Sequence, residues 1–291
     1  DDYHSLYERD GFAWFQGGRN LFDSEAIMVG KTKALKLTKP QVSGGGKLCV
    51  GVSAGSNSEV ELYIGSRLLG QLTIRLGDYD KGNSRRGAYP FASVDELDTL
   101  KIKVVSGGPV RLDDVSITWD NALPAPWLAA NKFAIPELVG VVRNQNRHAD
   151  DQADMVIIVP SSGKLTAEAI RLKEFHEKND GLRVNLVPAN ELYNEFSSGT
   201  PDVNAYRRYL KMLYDRASSS NDMPRYLLLF GDGIWDNRLL TDATKGLNPD
   251  DYLLCYESEN SFNEVECYTD DNFFGLLDDG EGADLLTHDL P

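Results

Sequence analysis

Residues 226–237 read YLLLFGDGIWDN. The first five are apolar without alternation, the pattern of a strand buried on both faces. The run then meets Gly231, Asp232 and Gly233. In open parallel sheets, ligands bind beyond the carboxyl ends of the strands, and Asp232 stands just past such an end. Flanking glycines let the backbone turn tightly and leave space around the carboxylate. The plainer role for Asp232 is to cap the following turn through its side chain.

Working outward, 155–160 (MVIIVP) and 183–188 (RVNLVP) repeat the buried-strand pattern. Between and after them lie two segments of helical periodicity, 166–180 and 200–217. The first places Ala169, Leu172 and Phe175 on one face. The second is N-capped by Asp202 and repeats Val203, Tyr206, Leu210 and Leu213. Alternating strands and helices with continuous apolar strands imply a parallel sheet covered on both faces. Residues 251–258 suggest a further strand, and 267–277 a loop leading into another. Residues 1–120 differ. The segments 33–39, 47–55, 60–65, 68–76, 98–107 and 110–120 are short, alternating and β-branched, and Gly, Ser, Asn and Asp separate them. That pattern predicts an antiparallel β-sandwich. The expected organisation is a sandwich over 1–120, a linker over 121–150 anchored by Trp127 and Phe133, and an α/β domain over 151–291.

The chain has 291 residues, 45 acidic and 30 basic, for a formal charge of -15. Nucleic acid and anionic membrane surfaces need a basic footprint and are excluded as partners. No stretch approaches the ~18 apolar residues of a membrane span. The chain opens DDYHSLYERDG and closes LLTHDLP, so it is expected to be an internal segment of something longer. Cys49, Cys255 and Cys267 fit no zinc spacing; Cys255 and Cys267 are free to pair across a loop.

No GxxxxGK[ST] or GxGxxG loop is present, and an acidic side chain repels phosphate, so a cation or a hydrogen-bonded loop suits Asp232 better. A second acidic run, 268–284, carries Asp270, Asp271, Asp278, Asp279, Glu281 and Asp284. Hard oxygen ligands in a glycine-containing loop suit calcium, although the order is not that of an EF-hand; such runs are more commonly solvated loops. Cys255 lies in an apolar strand pattern and is expected to be inert. Cys267 has no evident partner among His4, His148, His176 and His288, and no GxSxG is present. A competing function is a non-catalytic binding or scaffold role toward glycan or protein, with the sandwich aromatics Trp14, Phe15, Tyr79, Tyr89 and Phe91 available to a glycan.

Five stretches, DMVIIVP, the long run from NELYNEF to LYDRA, PRYLLLFGDG, CYESENSF and YTDDNFFGLLDD, resemble the gingipain-like cysteine peptidases. Within that family they resemble most the PorU-type sortases of the type IX secretion system in the Bacteroidetes. The likeness covers about 150–291; RLDDVSITW and the sandwich before it resemble the region preceding the peptidase domain. The resemblance implies the first half of a caspase-like doubly wound α/β fold. It also implies a protein or peptide substrate, a place outside the cell or on the outer-membrane surface, and contact with outer-membrane secretion machinery. The family's catalytic histidine and cysteine fall beyond Pro291, so no catalytic residue is expected here. Calcium is implied at Asp232, with Asp278, Asp279 and Asp289 as further ligands. A doubly wound sheet cut before its last strands implies an exposed edge open to self-association.

Overall fold

The structure, a computed structural model, describes residues 4–39, 43–121, 135–138 and 140–281. Trp127, Phe133 and Asp289 lie outside the described residues. Two compact units are present. The first holds the described residues of Asp1–Gly140 with Leu240–Ala243 and Asn260–Cys267; the second holds Val141–Leu239, Thr244–Glu259 and the described residues from Tyr268 on.

The first unit is an antiparallel β-sandwich. One sheet runs β1 (His4–Glu8), β9 (Val110–Trp119), β4 (Gly46–Ala54), β7 (Asn83–Phe91), with β2 (Ala26–Ile27) also paired to β9. The other runs β3 (Thr32–Lys36), β8 (Thr99–Ser106), β5 (Ser58–Ile64), β6 (Arg67–Ile74). Strict alternation in β5 buries Val60, Leu62 and Ile64 between the sheets, opposite Val50, Val52 and Leu112. A later stretch of chain is woven into this unit. Phe15 N–H donates to the Ser261 carbonyl at 2.9 Å, and Phe22 packs on Phe262 with centroids 5.3 Å apart. Of the aromatics considered for glycan binding, Trp14 donates its indole N–H to buried Ser53 and Phe91 is buried; Tyr79 is exposed, at φ 67°.

The second unit is built on a parallel sheet ordered β11 (Val184–Pro188), β10 (Met155–Val159), β12 (Tyr226–Leu229). Every residue of β10 is buried, with successive side chains going to opposite faces. Val156 and Ile158 meet α2 (Ala189–Phe196) and α3 (Asn204–Arg216). Met155, Ile157 and Val159 meet the side covered by α1 (Thr166–Asn179) through Ala169. This double burial is why the strand reads as an unbroken apolar run, each such side chain contributing ~1.5–3 kcal/mol. The Asp202 carboxylate accepts from Asn204 N–H at 2.9 Å just ahead of α3, whose N-cap is Val203 rather than the expected Asp202. On α1, only Ala169 is buried and Phe175 is exposed. Phe175 and Leu172 border a cleft beside Phe230, because β12 is an edge strand and no further element among the described residues covers that face. Along β12 on the opposite face runs a groove of about 780 Å³, bordered by Leu210, Leu227, Leu229, Phe274 and Leu277. The strand expected over 251–258 is reduced to β14 (Leu253–Leu254), parallel to β13 (Gly233–Ile234). Among the described residues no helix is long and apolar enough to cross a membrane.

The amino-terminal end of this sheet is tied by Asp154, whose buried carboxylate accepts from the Arg183 backbone and guanidinium at 2.9 and 3.1 Å and from Arg225 at 3.3 Å. Arg183 chiefly holds the carboxyl down at about 2 against the opposing effect of burial. A folded pKa below the unfolded one stabilises the protein above about pH 4, and that contribution drains away as pH falls toward 2. The expected outcome is that Asp154→Asn lowers unfolding free energy at pH 7 by about 1–2 kcal/mol, since both arginines are half exposed. The variant should also flatten the loss of stability between pH 5 and 2, read by urea denaturation across that range.

Candidate functional site at the carboxyl end of the parallel sheet

Three chain segments leave the sheet at its carboxyl end. After β10 come Pro160 and Ser161, after β11 the chain enters α2, and after β12 come Phe230, Gly231, Asp232 and Gly233. Neither flanking glycine has a positive φ. Both are required by close packing instead. A Cβ on Gly231 would lie 2.7 Å from Pro160 Cγ, and one on Gly233 would lie 2.6 Å from Cys255 Sγ. The room at the two glycine positions is thus taken by neighbours, while the carboxylate between them stays open. Asp232 itself is exposed. Its carbonyl accepts from Leu253 N–H at 2.9 Å, while its carboxylate has no hydrogen-bond partner among the described residues and caps no turn.

The acidic run downstream is divided among separate tasks. Asp270 is buried and accepts from Asn272 N–H at 2.8 Å, capping the turn at Asp271–Gly275. Asp278 accepts from the Tyr214 phenol at 2.6 Å, and Asp279 pairs with Lys211 at 3.0 Å. Glu281 accepts from Asp278 N–H at 2.9 Å. Among the described residues no three His, Cys, Asp or Glu side chains gather as a metal would require. Calcium also takes backbone carbonyls and waters as ligands, and the ion rests on the sequence resemblance.

None of the three cysteines is in a disulfide, so Cys255 and Cys267 do not pair. Burial, reinforced by Asp271 and Glu257, pushes the Cys255 thiol up to about 11, which keeps it protonated and weakly nucleophilic at neutral pH. Asn237 brackets this residue, donating to the Cys255 carbonyl at 2.7 Å and accepting from its N–H at 2.9 Å. Of the histidines, His148 is engaged by Glu195 at 2.7 Å and stacks on Phe196, and His176 is engaged by Asp180 at 2.6 Å. Burial would raise Glu195. Hydrogen bonds from Arg147, Gln145 and His148 outweigh it and hold the carboxyl at about 2, a clamp that fastens residues 145–148 onto α2.

A cavity of about 260 Å³ opens between these segments, bordered by Ser161, Asn190, Tyr193, Asp250, Tyr252 and Leu254 among others. None of these residues was singled out from the sequence for chemistry. The available signal was positional, since Ser161 and Asn190 directly follow the ends of two strands.

Residues 148–290 match the family model of peptidase family C25. No curated protein matches the chain. Among solved structures it is similar to dimeric latent PorU from Porphyromonas gingivalis, at 23% identity and a TM-score of 0.77, covering 96% of this chain and 34% of that one. The chain thus spans about a third of the length of that protein, and the likeness shows a shared fold. The C-terminal CBM6 of LamC from Zobellia galactanivorans matches 40% of this chain and 98% of its own at 15% identity, with a TM-score of 0.27. The adhesin domain K1 of Lys-gingipain from P. gingivalis W83 matches 40% and 91% at 15% identity, with a TM-score of 0.28. At these scores neither bears on the fold.

If Asp232 ligates calcium, calcium at about 1 mM, the range of extracellular modules, raises the thermal midpoint of the chain and leaves Asp232→Ala unmoved. An equal response from both proteins, measured by differential scanning fluorimetry, removes Asp232 from any calcium site.

Proposed function

From the match of residues 148–290 to the family model of peptidase family C25, we propose that the chain is part of a gingipain-like cysteine peptidase acting on protein or peptide substrates outside the cell or at its surface. The observation that carries this reading is the parallel sheet β11–β10–β12, its central strand covered on both faces, lying wholly within the matched residues. In a cysteine peptidase the thiolate attacks the substrate carbonyl, and a histidine takes the thiol proton and returns it to the leaving amine. Cys255, held protonated and packed against Gly233, does not suit that role. The reading assigns the nucleophile and base to residues following 291, as the resemblance does. Its finer form is removal of C-terminal sorting signals in type IX secretion, in contact with outer-membrane machinery. Among the described residues β12 is an edge strand, which suits the reading as well, because a further strand of the fold would add there. For the isolated chain, self-association through that edge is the corresponding proposal.

The test compares the 291-residue chain with the full reading frame that contains it, using a fluorogenic peptide library with and without reductant. The longer protein is expected to cleave and to lose activity on alkylation, while the 291 residues stay silent. Reductant-dependent cleavage by the 291 residues, or none by the longer protein, contradicts the reading.

A further inference from the structure

Two phenols lie side by side beneath the 260 Å³ cavity. Tyr193 Oη and Tyr206 Oη are 2.5 Å apart, and Tyr206 Oη also accepts from Leu254 N–H at 3.3 Å. Tyr206 is 0% exposed and Tyr193 9%. Were Tyr193 to donate to Tyr206, the Tyr206 hydrogen would be left buried with no acceptor, which costs more than any alternative orientation. The satisfied arrangement runs Leu254 N–H to Tyr206, then Tyr206 O–H to Tyr193. That leaves the Tyr193 hydrogen without an acceptor among the described residues, and Tyr193 borders the cavity. Burial pushes the Tyr193 phenol far up, so this donor persists at every physiological pH.

The rest of the cavity complements that donor. Asp250 borders it and is exposed, with a carboxylate that has no hydrogen-bond partner among the described residues. Ser161 Oγ accepts from Asn190 N–H at 3.0 Å and keeps its own hydrogen to donate. Ile234, Leu239 and Leu254 supply apolar wall. One buried donor, one free acceptor and an apolar wall match an amide carbonyl, an amide N–H and an aliphatic side chain.

We propose that this cavity is a peptide-binding subsite in which Tyr193 donates to a backbone carbonyl, Asp250 accepts a backbone N–H, and one apolar side chain rests on Ile234, Leu239 and Leu254. The choice of a peptide as ligand rests on the peptidase reading; the donor, acceptor and wall do not. Tyr206 is a positioning residue, since it acts by turning the Tyr193 hydroxyl outward. The volume admits about one residue, so the subsite selects a single position of a longer peptide.

The probe is acetyl-leucine methylamide, titrated into the ¹⁵N-labelled 291-residue chain. Saturable shifts are expected at the amides of Asn190, Tyr252 and Leu254, with a Kd in roughly the millimolar range of small fragments. Acetyl-leucinate, whose carboxylate meets Asp250, should bind more weakly. Tyr193→Phe should weaken the methylamide about tenfold, the usual effect of one lost neutral hydrogen bond. Because that change disturbs a buried pair, Asp250→Ala on the exposed rim serves as the second variant and should weaken binding several-fold with the spectrum otherwise intact. Absence of saturable shifts at those three amides, or unchanged affinity in Asp250→Ala, overturns the proposal. Binding by the chain when the longer protein has no peptidase activity upholds the subsite and discards only the peptidase reading.

Discussion

The second unit depends on one constraint, that β10 is hydrogen-bonded on both edges and buried on both faces. Met155–Val159 pairs in parallel with β11 on one side and β12 on the other. Its even and odd side chains feed two separate clusters. A strand so placed cannot shift by one residue without exchanging the contents of the two clusters. Helices α1, α2 and α3 take their positions from that register, and so do the three segments that leave the carboxyl end.

The two ends of the sheet are built with different chemistry. At the amino-terminal end, Asp154 gathers Arg183 and Arg225 into a charged tie. At the carboxyl end Lys164 pairs with Asp251 at 2.7 Å. Gly231 and Gly233 admit Pro160 and Cys255 to van der Waals distance, Asn237 brackets Cys255 through its backbone, and Asp232 and Asp250 are left as free exposed carboxylates. Charge pairing around one carboxylate marks the first end, and close packing beside two exposed carboxylates marks the second. The Tyr193–Tyr206 pair fits this division, being a buried network that is complete except for one hydrogen at the cavity.

Much of the architecture was legible because burial writes itself into periodicity. The apolar run at β10 and the alternation in β5 and β8 each reflect how many faces are covered, whereas the apolar run of β12 belongs to an edge strand in which Tyr226 is exposed and Leu227, Leu228 and Leu229 are half-buried. β7 was not legible. It carries Arg85, Arg86, Gly87 and Pro90 and is a sheet edge, where polar residues and proline are tolerated because one side needs no partner. Helix α2 was hidden by its length: Ala189, Leu192, Tyr193 and Phe196 amount to two turns, too few for a helical period to stand out. In the candidate site, Asp232 was found at a strand end, but the reason for its glycines was not, since Pro160 and Cys255 are distant in sequence. Asp278 and Asp279 looked like shared ligands. Their partners, Tyr214 and Lys211, lie on α3, and only the tertiary fold brings those residues together. The cavity donor was illegible for the same reason, as three separate segments define it.

The most direct test of the account is hydrogen–deuterium exchange resolved at single amides under native conditions. If β10 is the doubly paired centre of a parallel sheet, the amides of Ile157 and Ile158 exchange only through global unfolding. The outward-facing amides of β12, at the open edge, exchange faster. Exchange at Ile157 and Ile158 as fast as at that edge would contradict the sheet order, and with it the placement of the site at its carboxyl end.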